Sequence, residues 1–460
     1  MPPDKPELSS LTAVTPLDGR YNKTTEPLAP YFSDKALIKY RIIVEGEYLR
    51  ALSNVKGVKQ FQPLSLKNLK IIRSIYNLSN ADAEEVRRYD SITNHDVKAM
   101  EYFMRDKLKA AGLEKILEWM HFALTSEDVN NLAYAMMLSE SIRDVMIPTL
   151  DDIIKTVEQF AKKYKNLAML ARTHGQPASP TTFGKEFKVF AVRLKRQRDS
   201  LKNYKILVKF NGATGNYNAH VAAFPKVSWV NFTKNFIQDI SKFRKINLEP
   251  SLITTQIESN DTYAELFDNI RRINTILIGF NQDLWRYISD NWIILKPLEG
   301  EVGSSTMPHK VNPLDFEKSE GNLGMANALL TYFSTKLPIA RLQRDLTDST
   351  VERNLGVAFA YSLVAYKATL RGLGLIAPHE RKITEELENH PEVVAEAIQT
   401  VLRREGVPIP YEKLKTLTRG KKVTMKDFAK FIDKLEIDPK VKKELKRFTP
   451  KNYVGIANKL

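Results

Sequence analysis

Apolar residues recur at helical spacing over unusually long stretches of this 460-residue chain. From Tyr263 to Ile288, Phe267, Ile270, Ile273, Leu277, Phe280, Leu284 and Tyr287 fall on one stripe. Leu150, Ile153, Ile154, Val157, Phe160, Ala161 and Tyr164 repeat the pattern, as do Phe187, Phe190, Ala191, Leu194, Leu201, Tyr204 and Val208. Leu355 to Ile376 is apolar nearly all round, with small Gly and Ala residues interspersed. A helix of about 25 residues is about 37 Å long. A helix apolar on most faces must be covered by other helices, of this chain or of another subunit. Little of the chain alternates as a strand would. The spacing predicts an all-α fold built on a central bundle of long helices. Breaks at Ala111-Gly112 and Ala377-Pro378 predict three domains, residues 1–111, 112–376 and 377–460, the last basic and made of shorter helices.

The chain contains no cysteine, which excludes disulfides, cysteine metal sites and thiol nucleophiles. No apolar run reaches the ~20 residues needed to span a bilayer, and the first residues lack the basic-then-apolar order of a secretory signal. The expectation is a soluble cytoplasmic protein without membrane contacts. The formal net charge of +16 suits a nucleic acid, a membrane or a small polyanion. No helix-turn-helix, zinc-finger or aromatic RNA-binding pattern accompanies it, so a solvated basic face and no nucleic-acid partner are expected. A phosphorylated substrate would profit from the same field. The seven histidines form no HxxH or HExxH pair, and no GxxxxGK[ST] or GxGxxG loop occurs. No metal and no cofactor are expected, which leaves acid–base chemistry by side chains.

Five blocks could carry that chemistry. Residues Gly300 to Pro313 hold two glycines, three hydroxyls, Lys310 and Asn312. The glycines let the backbone bend and the prolines prevent a continuous helix. Composition alone would equally make an ordinary surface loop. In Arg172-Thr173-His174-Gly175-Gln176, His174 lies on a non-helical stretch, and histidine as a residue type can exchange a proton near neutral pH, so it could protonate a leaving nitrogen or oxygen; a structural histidine on a carbonyl is the alternative. In Thr93-Asn94-His95-Asp96, either Asn94 or Asp96 could cap the helix through Met100, and in Thr125-Ser126-Glu127-Asp128 Ser126 reads as a cap whose free N–H groups suit an anion. Arg341, Arg344 and Arg353 lie near Ser349 and other hydroxyls, a set fit for phosphate, although Asp345, Asp348 and Glu352 could instead pair with them.

Taken in order, GSSTMPHKVNP, RTHGQPA, TNHDVKA, TSEDVNN and RDLTDSTVERN resemble the signature blocks of the fumarase/aspartase superfamily and, within it, of the adenylosuccinate lyase family. Pro16-Leu17-Asp18-Gly19-Arg20-Tyr21 is also typical, and the resemblance extends to Tyr453. It implies a homotetramer whose long helices form a shared bundle, with active sites drawn from several subunits. It implies β-elimination of fumarate from adenylosuccinate and from SAICAR. Ser304 would be the general base, His174 the general acid, and Lys310 and Asn312 would stabilise the carbanion; the choice of Ser304 over Ser305 comes from the resemblance alone. Glu317 would orient His174. Arg20, Tyr21, Arg344, Ser349 and Arg353 would bind phosphate, and His95, Asp96, Thr125, Ser126 and Gln256 the rest of the substrate. Lys318 departs from the small polar residue expected there. Lyases of argininosuccinate, aspartate or malate are the neighbouring alternatives, but their substrates give the arginines at 344 and 353 no phosphate to bind. A non-catalytic scaffold protein would be expected to have lost His174, Ser304 or Lys310.

Overall fold

The computed structural model describes residues 9–297, 300, 306–307, 309–420 and 422–460. The periodic stretches are helices. The stripe from Tyr263 lies on Asp261–Ser289, a 29-residue helix, and the nearly all-apolar stretch is Leu355–Gly374. Phe183–Lys202 and Leu314–Lys336 are further long helices. Ser126–Ser141 continues through a π-type turn, Ile142–Met146, into Ile147–Lys163. Pro148 explains the widened turn: its ring and missing N–H do not fit a regular i→i−4 ladder, and one extra residue in the preceding turn makes room.

The described residues gather into two compact units. The first comprises Met1–Leu150, Arg196–Thr275 and Gly321–Lys367, and the second Asp151–Lys195, Ile276–Glu320 and Ala368–Leu460. Tyr40, Tyr48, Phe103, Phe210, Phe236 and Phe267 fill the core of the first. There Tyr48 meets Phe210 edge-on at 5.3 Å between ring centres. Phe183, Phe187, Phe280 and Phe316 fill the second, with Phe187 edge-on to Phe280 at 5.5 Å.

Each core also holds a closed polar cluster on the long helices. In the first unit, Asn274 donates to Ser362 Oγ at 3.1 Å and accepts from the Tyr366 hydroxyl at 2.7 Å. In the second, Asn281 donates to Ser319 Oγ at 2.9 Å, Thr369 donates to Asn281 at 3.3 Å, and the Ser319 and Thr369 hydroxyls lie 2.8 Å apart. Asn274 and Asn281 are two turns apart on one helix, so both fall on the same stripe. A buried amide is tolerated because its donors and acceptors find partners, and those partners exist at one helix register only.

The sequence shows little strand alternation, yet the described residues contain three two-stranded sheets. β1 (Ala168–Thr173) and β2 (Gln176–Thr182) are antiparallel. β3 (Ile206–Val208) runs parallel to β4 (Leu248–Pro250), and β5 (Ile293–Leu295) antiparallel to β6 (Ile376–Pro378). Strands three to seven residues long are too short for alternation to register. The hairpin β1–β2 matters most. Thr173 pairs with Gln176, leaving His174 and Gly175 as a two-residue turn. Both have positive φ, 53° and 74°, as a type I′ turn requires.

Replacing Asn281 by Ala should lower stability by roughly 1–3 kcal/mol, because Thr369 loses its buried acceptor. A denaturation midpoint equal to that of the parent chain would show that the cluster contributes nothing.

Candidate active site

Three of the sequence blocks converge inside the first unit. His95 precedes the helix Asp96–Ala110, and its Nδ1 accepts the Lys98 N–H at 3.2 Å. The cap is therefore His95, not Asn94 or Asp96. Asn94 instead closes the preceding helix in a left-handed conformation, φ 48°. With Nδ1 as acceptor, a neutral His95 carries its proton on Nε2. This leaves the Asp96 carboxylate for other work: Oδ2 takes Arg41 at 2.8 Å and Arg353 at 2.6 Å.

Arg41 is buried, and its Nε donates to Asn130 Oδ1 at 2.9 Å. Asn130 passes the link to Glu127 Oε1 at 2.7 Å, which also pairs with Arg344 at 2.8 Å. Arg344 Nε lies 3.4 Å from Asp348. The blocks at 94–98, 125–130 and 344–353 are thus parts of one ionic network. Its carboxylates divide by environment. Burial pulls Asp96 upward, but Arg41 and Arg353 outweigh it and hold the group below its ordinary value. For Glu127, burial wins over Arg344 and the group is raised. Glu352, wholly buried beside Glu127 and Asp348, is pushed well above the usual carboxylate range by burial first and those like charges next.

Thr125, not Ser126, caps the helix Ser126–Ser141. The Thr125 N–H donates to Asp128 Oδ2 at 2.9 Å, the reciprocal half of a capping box. Ser126 becomes the first helical residue, where the leading N–H groups point out of the helix end. Asp128 also holds a neighbouring loop. Its carboxylate pairs with the fully buried Lys209 at 2.9 Å and accepts the N–H groups of Asn211, at 2.9 Å, and Gly212. Gln256 reaches the same loop through the Ala213 carbonyl at 3.0 Å. Thr125, Ser126 and Gln256 are therefore positioned by one loop.

Ser349 donates its N–H to Asp348 at 2.5 Å. A cavity of 570 Å³ places Arg353 and Gly356 opposite Thr15, Asp18, Asn22 and Lys23. Arg20 is exposed and Tyr21 half-buried on the same N-terminal segment, but neither lines this cavity.

In the second unit, His174 stands exposed at the hairpin tip. Lys310 is exposed and Asn312 half-buried just before the helix Leu314–Lys336. Glu317, on the first turns of that helix, accepts a hydrogen bond from the Trp285 indole at 3.0 Å, whereas no bond to His174 forms among the described residues. Lys318 is exposed. Ser304 and Ser305 lie outside the described residues.

Sequence reasoning missed Arg41, Asn130, Lys209 and the central place of Glu127. Asp128, three residues after Thr125, carried a readable capping-box signal. Arg41 and Lys209 carried none, since Arg41 bonds Asp96 and Asn130, 55 and 89 residues away, and Lys209 bonds Asn131, 78 residues away.

The sign of the Glu352 effect follows from linkage. The unfolded chain ionises Glu352 above its ordinary value of about 4.5, whereas the folded chain keeps it protonated to higher pH. Its contribution to stability is complete below that value and is lost as pH rises through the folded one. Glu352→Gln copies the protonated form. Its thermal midpoint should gain on the parent's as pH rises above the ordinary glutamate value; parallel curves would contradict the assignment.

Residues 19–327 match a lyase family model, and residues 340–454 match the adenylosuccinate lyase C-terminal model. Adenylosuccinate lyase of Haemophilus influenzae is 47% identical over 456 residues, 99% of either chain. Those of Escherichia coli K12 and Dictyostelium discoideum are 46% and 47% identical over 98% of either chain. Two solved structures share the fold at low identity. A 3-carboxy-cis,cis-muconate lactonizing enzyme from Pseudomonas putida gives a TM-score of 0.71 at 17% identity over 94% of either chain. A fumarate lyase from Mesorhizobium gives 0.72 at 16%, over 95% of this chain and 96% of the other. With both family models matched in order and close relatives aligned end to end, the chain belongs to the adenylosuccinate lyase family.

Proposed function

We propose that this chain cleaves the C–N bond of adenylosuccinate, giving AMP and fumarate, and that of SAICAR, giving AICAR and fumarate. The observation that carries this reading is the end-to-end identity of 46–47% with proteins named adenylosuccinate lyase. The chemistry is a β-elimination. Ser304 removes a proton from the succinyl carbon next to a carboxylate. The resulting carbanion places charge on that carboxylate, where Lys310 and Asn312 stabilise it. His174 donates a proton to the departing nitrogen, so the purine side leaves uncharged at that atom. A serine hydroxyl is too weak a base unless Lys310 and exclusion of water favour its alkoxide. Glu317 orients His174 on this reading, from another subunit, since within the chain its partner is Trp285.

Substrate binding falls to the remaining residues. Arg20, Tyr21, Arg344, Ser349 and Arg353 take the phosphate. Arg344 and Arg353 are already paired with carboxylates, so a phosphate would join or replace those partners and not meet bare cations. His95, Asp96, Thr125, Ser126 and Gln256 hold the base and the succinyl carboxylates. The net charge of +16 favours such polyanions over the free anionic product fumarate. No cofactor enters this scheme. The subunit is divided at residues 111 and 376, works as a cytoplasmic homotetramer, and shares each active site among chains. Among the described residues, no helix is long and apolar enough to cross a membrane.

His174→Ala and Ser304→Ala should each reduce kcat for fumarate release by ~10²–10⁴-fold with helix content unchanged. Near-normal turnover in either variant would withdraw that residue's role. Re-annealing the two inactive variants should restore part of the activity, because mixed tetramers contain some sites with both native groups. Failure to recover, with subunit exchange demonstrated by mass, would place each site within a single chain.

A further inference from the structure

The hairpin that carries His174 is gripped on both strands by carboxylates of the C-terminal helices. On β1, Arg172 forms a 2.7 Å ion pair with Glu386 of the helix Glu380–Glu388. The other arm of the same guanidinium donates to the Gly175 carbonyl at 3.4 Å, and its plane lies 5.5 Å from the Trp292 ring centre. Gly175 is the second residue of the turn and His174 the first. On β2, the Ser179 hydroxyl bonds Glu396, in the first turn of Ala395–Arg404, and the Tyr453 hydroxyl donates to the same carboxylate oxygen at 2.9 Å.

The His174 ring itself has no hydrogen-bond partner among the described residues and is exposed. Its direction is therefore inherited from the turn, whose next carbonyl Arg172 holds. Glu386 and Arg172 are 22% and 30% exposed as side chains, so their pairing is partly screened and contributes little to overall stability. What the pair supplies is orientation: a planar fork fixed by a carboxylate at one side, a carbonyl at the other and an indole beneath. Glu386 faces one further titratable group, His390 Nε2 at 3.6 Å, which is itself held by Glu392 at 2.7 Å.

We propose that Glu386, acting through Arg172 and the Gly175 carbonyl, is a positioning residue that aims the His174 imidazole at the leaving atom. This rests on His174 being the general acid. Proton transfer needs that imidazole within hydrogen-bond reach of the leaving atom, and displacements of about 1 Å can cost ~10²-fold. The basic C-terminal segment thereby gains a part in catalysis without touching substrate.

The test compares Glu386→Ala, Glu386→Gln, Arg172→Ala, the double variant R172A/E386A and His174→Ala as full-length tetramers with adenylosuccinate. Glu386→Ala should lower kcat ~10–100-fold with KM within about twofold of the parent. Glu386→Gln, which keeps an acceptor at the same reach, should fall between the two. The double variant should lose no more than the worse single variant, since both remove one linkage. A parental kcat in Glu386→Ala, an equal rise in KM, or additive losses in the double variant would overturn the proposal. Should Glu386→Ala lower the thermal midpoint, Glu386→Gln decides, and parental kcat there overturns it equally. If His174→Ala keeps normal turnover, the general-acid assignment fails first; if it is inactive while the Glu386 variants are normal, only the positioning role fails.

Discussion

Burying charge is what organises the first unit. Arg41, Arg344 and Arg353 are set against Asp96, Glu127, Asp348 and Glu352 where water cannot solvate them fully. Such groups are costly to desolvate, and an apolar replacement of a whole buried pair can be as stable. Removing one partner is different, because it strands the other. The network is better understood as a constraint on position than as a source of stability. It admits one arrangement of four chain segments, and its longest link joins residues 257 apart. The segments it fixes are those bearing His95, Thr125, Ser126 and Ser349.

How much of this was legible depends on how far each signal reaches along the chain. Helical periodicity is local and repeated, so Asp261–Ser289 and Leu355–Gly374 appear nearly residue for residue where the stripe placed them. The His174 block was legible as non-helical, but not as a hairpin, because its strands are short and its turn uses His where Asn or Asp is the usual signal. Caps were misplaced by one residue. Ser126 reads as the cap from sequence, and the reciprocal bond to Asp128 shows that Thr125 is the cap. His95 was overlooked as a cap because histidine seldom serves as one. The arginines were read as phosphate ligands with ion pairing as the alternative; the structure places carboxylates on Arg344 and Arg353. Nothing near Arg41 in sequence foretells Asn130, since that contact exists only once two helices pack.

Fold and chemistry are separable here. The two solved structures keep the architecture at 16–17% identity, so the helical scaffold survives replacement of most of its residues. The scaffold alone therefore cannot name a reaction. The proposed site residues lie instead in short segments at helix starts and turns, such as the starts of Asp96–Ala110 and Ser126–Ser141 and the β1–β2 turn.

The π-type turn at Ile142–Met146 has a consequence for insertions and deletions. Each residue of an α-helix advances the side-chain direction by about 100°. Deleting one residue from this turn could restore regular winding, but it would swing Leu150, Ile153, Ile154 and Val157 off the core-facing side they now occupy. The extra residue acts as a phase correction between two amphipathic stretches of one rod. Length variation between diverging copies of this gene should thus be tolerated in the loops and penalised at this point of the helix.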